Sequence, residues 1–222
     1  MRTLGASLLR RGVALPTPDP RTPWREAEFC VLDLETTGLD LQRDEIVSYG
    51  VAIVRQARIP CGEVRYRQIR PGRPVSPAAV SVHGLRLADL VGAPPIDDVL
   101  DELAGLLANR VPVAHAAWVE RAFLNRALGS RGRRLGRLMV DTAALLRAGR
   151  LVDRDAGHEP DLEVMAQRLG LPVHTPHHAL GDAFTTAELL LLLATRMERA
   201  AAVRRRPLTV GDLSSVSRHH RG

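Results

Sequence analysis

Lysine is missing from this chain: each of its 31 basic residues is an arginine. That one-sidedness is a compositional bias, so a given arginine cannot be read as a phosphate contact on its own. Cysteine is almost absent, with only Cys30 and Cys61. Neither sits in a paired metal-ligand spacing, which excludes a disulfide framework and fits a reducing, cytoplasmic setting. Aromatic residues make up 3% of the chain, too few for a broad base-stacking platform. Long apolar runs are lacking as well. The stretch Leu189 to Leu193 is far shorter than a membrane span, so no membrane partner is expected. The first residues carry Arg2, Arg10 and Arg11 but no hydrophobic signal core.

What is present suits a folded domain. The chain has 222 residues, with 45% hydrophobic and 25% charged, the balance of an ordinary globular protein with a sizeable core. A formal net charge of +6 and a pI near 10.7 favour a polyanionic partner. Composition divides the chain into a flexible Pro/Arg-rich leader (1–24), a domain (25–203) and a basic flexible tail (204–222).

The domain is organised around one stretch, Phe29 to Asp40. The apolar run Phe29 to Leu32 predicts a buried strand, and Asp33 and Glu35 follow at alternate positions. Alternate residues of a strand share a face, so the two carboxylates converge. Adjacent like charges on a buried strand repel unless a proton or cation intervenes, and a hard divalent metal with oxygen ligands resolves this well. Spacing alone leaves open the plainer alternative of a strand end with solvated acids. Thr36, Thr37 and Gly38 break the strand, with Gly38 permitting a turn or the close approach of a ligand.

Two further strands are expected over Ile46 to Val54 and Glu63 to Ile69, giving an antiparallel meander. Helical spacing then marks Pro77 to Val82, Ile96 to Leu107 and Val119 to Leu128. Short strands are expected at Val111 to Ala114 and at Leu138 to Val140. Helices follow from Thr142 to Ala148, from an Asp161 cap to Leu169, and from about Gly181 to Val203. Strands that alternate with helices after a meander make an α/β fold with a mixed sheet. Glu120 at a helix start, Asp182 near the start of the last helix and His177 five residues before it add acids and a base to the inventory.

These residues carry a resemblance. Asp33-Leu34-Glu35-Thr36-Thr37-Gly38, Val113-Ala114-His115 through Glu120, and His177-x-Ala-x-x-Asp182 resemble the three motifs of the DnaQ-like (DEDDh) 3′–5′ exonucleases, in order and spacing, across about residues 26 to 195. Val82-His83-Gly84-Leu85 and Asp141-Thr142 match further features of that family. The resemblance, which extends to the epsilon proofreading subunit of bacterial DNA polymerase III, implies a ribonuclease H-like mixed five-stranded sheet flanked by helices. It also implies two divalent cations, Mg2+ or Mn2+, held by Asp33, Glu35, Asp182 and Glu120, with His177 as general base. Thr36, Gly38, Leu39 and His83 match substrate-binding positions, Leu39 as a wedge against the terminal base.

One departure stands out. The family's second motif reads His-Asn-Ala-x-Phe-Asp, whereas this chain has His115-Ala116-Ala117-Trp118-Val119-Glu120. Glutamate keeps the charge but reaches roughly 1.5 Å further, about one carbon–carbon bond. The implied activity is metal-dependent 3′–5′ hydrolysis of single-stranded DNA to nucleoside 5′-monophosphates, in proofreading or repair and with a DNA polymerase as a partner. Two alternatives stay open: an RNA or oligoribonucleotide exonuclease, and a catalytically impaired module that binds nucleic acid or a polymerase.

Overall fold

The computed structural model describes residues 12–152, 158–202 and 206–216. Its main sheet has five strands: β2 (Glu28–Thr36), β3 (Ile46–Arg55), β4 (Val64–Gln68), β5 (Val111–Ala114) and β7 (Val140–Asp141). Their spatial order is β4-β3-β2-β5-β7. The first three pair antiparallel as a meander, and β5 and β7 add in parallel on the other side. This is the mixed α/β sheet that the pattern predicts. A minor parallel pair joins β1 (Val13–Ala14) to β6 (Arg133–Arg134).

The central strand β2 is covered on both faces, so its first half is continuously apolar. Cys30, Leu32 and Leu34 pack in one core with residues of α2 (Ile96–Leu107) and α3 (Trp118–Gly129). Phe29 and Val31, one residue out of phase, pack in a second core with α4 (Thr142–Ala148), α5 (Leu162–Arg168) and α6 (Ala179–Ala202). Asp33 and Glu35 share the phase of Phe29 and Val31, which puts them on the α6 side of the sheet. A shorter helix α1 (Pro77–His83) and a 3₁₀ turn (Leu87–Leu90) link β4 to α2. Asp161 caps α5 by accepting from the Val164 amide at 2.8 Å.

The ends of the chain depart from expectation. Part of the expected flexible leader is folded: β1 pairs with β6, Leu15 is buried, and Trp24 is 1% exposed. Part of the expected tail forms α7 (Val210–Val216), with Leu208, Val210 and Leu213 in the second core. The two segments also bond each other, through Trp24 N–H to the Leu208 carbonyl (3.0 Å) and Val210 N–H to the Thr22 carbonyl (3.0 Å). A few apolar residues scattered among prolines and arginines carry this packing, and composition averages them away. The rest of the leader (1–11) and of the tail (204–205 and 217–222) lies outside the described residues. No helix of the described residues is long and apolar enough to cross a membrane.

Candidate active site

The site forms where β2 ends beneath the start of α6. Its geometry depends on two glycines. Gly50 of β3 lies opposite Asp33 in the register, and a Cβ there would fall 2.2 Å from the backbone of Ala179 and Leu180. Only glycine lets the first turn of α6 rest directly on the sheet. On the far side, a Cβ on Gly181 would lie 2.1 Å from the His174 carbonyl oxygen, so the loop before α6 is drawn against the same turn. Asp182 in that turn is thereby lowered onto the two acids of β2.

Asp33, Glu35 and Asp182 each offer a carboxylate oxygen, and these atoms lie within 4.8 Å of one another. Burial raises all three acids, and at Asp33 and Glu35 the charge of the other acids adds to it. Asp33 rises well above the carboxylate range, with Glu120, Glu35 and Asp182 as the charged neighbours. Glu35 is pushed up to about 8, by burial and then by Asp182. Burial raises Asp182 to about 6, with the nearby His177 offsetting part of the effect and the charges of Glu163 and Asp161 adding to it. Such a set is electrostatically frustrated without a cation.

Glu120 projects from the first turn of α3, buried at 5% exposure. It stands outside the group of three, although its charge acts on Asp33. Burial pushes it up to about 8, with Asp141 and Glu35 contributing. Its Oε2 is buried without a hydrogen-bond partner, as is the hydroxyl of Ser48, which pairs opposite Glu35. An all-oxygen, acidic donor set with an unsatisfied carboxylate oxygen beside it fits a hard divalent cation and its waters.

The neighbouring residue types divide into brace and surface. His115 is fully engaged: its Nε2–H donates to the Pro160 carbonyl (2.6 Å), while Nδ1 meets the Thr142 hydroxyl (2.8 Å). It braces the segment before α5. Ala116 holds a left-handed backbone at φ 55°, a conformation that suits the asparagine of the related motif better than alanine. Its amide donates to Asp141 Oδ1 at 3.1 Å.

Gly38 stands against an internal contact: a Cβ would fall 2.5 Å from Asp44 Oδ2. Asp44 accepts from the Thr37 hydroxyl and the Asp40 amide, both at 2.8 Å, and so closes the loop after β2. Thr36 donates its hydroxyl to the Gly38 carbonyl at 2.7 Å. His83 Nδ1 accepts from the Leu85 amide (3.1 Å), which leaves Nε2–H to donate to the Thr36 carbonyl (3.1 Å). His83 therefore pins the turn after α1 to the end of β2. Leu39 is 84% exposed, which rules out a core role for it.

His177 and His178 are clearly distinguished. His178 stacks on Tyr66 with ring centroids 4.4 Å apart. His177 has a left-handed backbone at φ 56°, a mostly exposed side chain and an Nε2 3.3 Å from Glu163 Oε1. Sequence reasoning missed Gly50, Gly181 and Glu163. A glycine inside an apolar strand was the one available signal for the first of these; the other two had none.

Comparison with known proteins agrees with this geometry. An exonuclease family model matches residues 30–190. A DNA polymerase III subunit epsilon-like protein of Rhodobacter capsulatus is 33% identical over 205 residues, covering 90% of this chain and 28% of the relative. A PolC-type DNA polymerase III of Thermotoga petrophila is 32% identical over 177 residues, 79% of this chain and 12% of the relative. The chain thus spans less than a third of these relatives. Among solved structures, exonuclease X in complex with 5′ overhanging duplex DNA superposes with a TM-score of 0.65 at 24% identity, covering 85% of this chain and 99% of that one. That likeness speaks to the fold, while the family match spans most of the chain and includes the whole carboxylate cluster. The chain belongs to the exonuclease family, a family of hydrolases.

Proposed function

We propose that this protein is a 3′–5′ exonuclease that removes nucleoside 5′-monophosphates from the 3′ end of single-stranded DNA. The observation that carries the reading is the convergence of Asp33, Glu35 and Asp182 within 4.8 Å, under a loop that presents His177, in a chain of the exonuclease family. Asp33, Glu35 and Asp182 would hold divalent cations, two by the family's pattern and Mg2+ or Mn2+ by the hardness of the ligands. Glu120, set back from the three, would complete the set through a bound water. When bound, such cations supply positive charge at the scissile phosphate and make a water acidic enough to act as a nucleophile.

The chain's own residues do the rest. His177 accepts the proton of the attacking water as general base. The water oxygen bonds to phosphorus, and the bond from phosphorus to the 3′ oxygen breaks. The 3′ oxygen leaves with a proton from solvent. Leu39, exposed in the loop after β2, would pack against the terminal base. Thr36, Gly38 and His83 act by shaping the loop along which that nucleotide lies.

The basic charge of the chain supports a polyanionic substrate. The polymerase names of its relatives support a replicative or repair polymerase as partner, in a reducing cytoplasm. The test is digestion of matched 5′-labelled single-stranded DNA and RNA with Mg2+ or Mn2+. Stepwise shortening of the DNA from its 3′ end is expected, abolished by Asp33→Ala or by chelation. No shortening, or an Asp33→Ala variant as active as the wild type, overturns the reading; preference for RNA moves the substrate class.

A further inference from the structure

Resting on that functional reading, the geometry points to Glu163 as a positioning residue for His177, which nothing in the three sequence motifs contains. Glu163 opens α5, two residues after the Asp161 cap. Its Oε1 lies 3.3 Å from His177 Nε2, although the two residues are 14 positions apart and on different elements. Three features argue against a chance surface pair.

The first is the bracing of the segment that carries Glu163. His115 Nε2–H donates to the Pro160 carbonyl at 2.6 Å. Arg147, itself buried, donates to Glu159 Oε2 at 2.7 Å and to the His158 carbonyl at 3.3 Å. Trp118 Nε1–H donates to Glu159 Oε1 at 3.2 Å. Side chains from the β5–α3 segment (His115, Trp118) and from α4 (Arg147) thus fix residues 158–160, and Asp161 caps the helix that carries Glu163.

The second is the loop that carries His177. It is anchored at one end, where His174 N–H donates to the Thr185 hydroxyl (3.1 Å) and the His174 ring meets Glu188 (3.2 Å). Between that anchor and α6, Thr175 and His177 both adopt positive φ, 36° and 56°. Backbone conformations of this kind persist where the surroundings impose them, and they cluster at functional sites. They turn the His177 side chain out of the helix path and toward α5.

The third is exposure. The two side chains are 57% and 31% exposed, and an ion pair so open adds little to stability. What it does do is hold a ring that otherwise has free rotation, and place a negative charge beside the imidazolium that forms when His177 takes a proton. Glu163 acts through His177 and does not touch the reacting phosphate.

A double-mutant cycle tests this. Glu163→Ala and Glu163→Gln are expected to lower kcat on single-stranded DNA about 10- to 100-fold, the range typical of residues that orient a histidine at a metal site. KM should stay within about twofold and the melting temperature within about 2 °C. Glu163→Asp should recover part of the loss. In a His177→Ala background, Glu163→Ala should cost nothing further. An unchanged kcat, or an equal loss with and without His177, overturns the proposal. If the wild type cleaves nothing, the functional reading falls instead. The pairing is then tested by 15N NMR of the His177 ring, whose signals Glu163→Ala must shift if the contact exists in solution.

Discussion

At the scale of single residues, the site is a collection of acids that the fold forces together against their own repulsion. Glu35 and Glu120 are both raised to about 8 from an ordinary 4.5, chiefly by burial. A carboxyl that is raised on folding stabilises the protein fully below its unfolded value, and that contribution is lost as pH rises through the folded one. The metal-free protein should therefore lose thermal stability between about pH 4.5 and pH 8, and Mg2+ or Mn2+ should restore more of it at pH 8 than at pH 5.5. Melting curves with and without the cation check both signs. Asp33→Asn removes one of the repelling charges. It should stabilise the metal-free protein at pH 8 by about 1–2 kcal/mol, as expected when a buried like charge is relieved, while abolishing the response to metal. A lower melting temperature for this variant would show that Asp33 is not frustrated.

At the scale of elements, the decisive contact is that of α6 on β3. Asp182 reaches β2 only because nothing but a hydrogen stands at Gly50, beneath the Ala179–Leu180 backbone. A backbone cannot swing aside as a side chain can. Gly50→Ala should therefore destabilise the fold by about 1–3 kcal/mol, as overpacking does. It should also lower kcat at least 100-fold, because a displacement near 1 Å spoils alignment at this kind of site. Gly38→Ala meets the Asp44 carboxylate instead, a group that can rotate at the cost of its bonds to Thr37 and Asp40. Its effect on denaturant stability and turnover should be the smaller of the two. If the order is reversed, the seat of α6 does not set the site.

At the scale of the whole molecule, the segments flanking the exonuclease fold meet each other and seal the second core. Trp24 packs there with Leu208, Val210 and Leu213, and Trp24 Nε1–H donates to Glu198 on α6 at 2.9 Å. The helix that delivers Asp182 is thus tied at its far end to the start of the domain. Removing residues 206–222 exposes apolar surface worth about 5 kcal/mol at the usual transfer value per buried aliphatic side chain, a large share of a typical domain's stability. The truncated chain should lose its cooperative melt and become sensitive to limited proteolysis. A melting temperature within a few degrees of the full chain would make α7 an accessory.

The sequence by itself determined the sheet, most of its helices and the acids of the site. These are written in local periodicity: Phe29 to Leu32 reads as buried, Asp33 and Glu35 share a face because a strand repeats every two residues, and Asp161 marks a helix start by its own chemistry. Tertiary structure alone decided how these parts meet. Gly50 and Gly181 have meaning only through the atoms that approach them, from residues far along the chain or across a loop. The two adjacent histidines are distinguished by their tertiary neighbours: His178 stacks on Tyr66 and His177 lies against Glu163. Glu120 keeps its charge near Asp33 yet stands apart from the three clustered carboxylates, a difference of position that no residue type encodes. Periodicity is a property of neighbours in sequence, whereas a catalytic site is made of distances between residues that folding alone brings together.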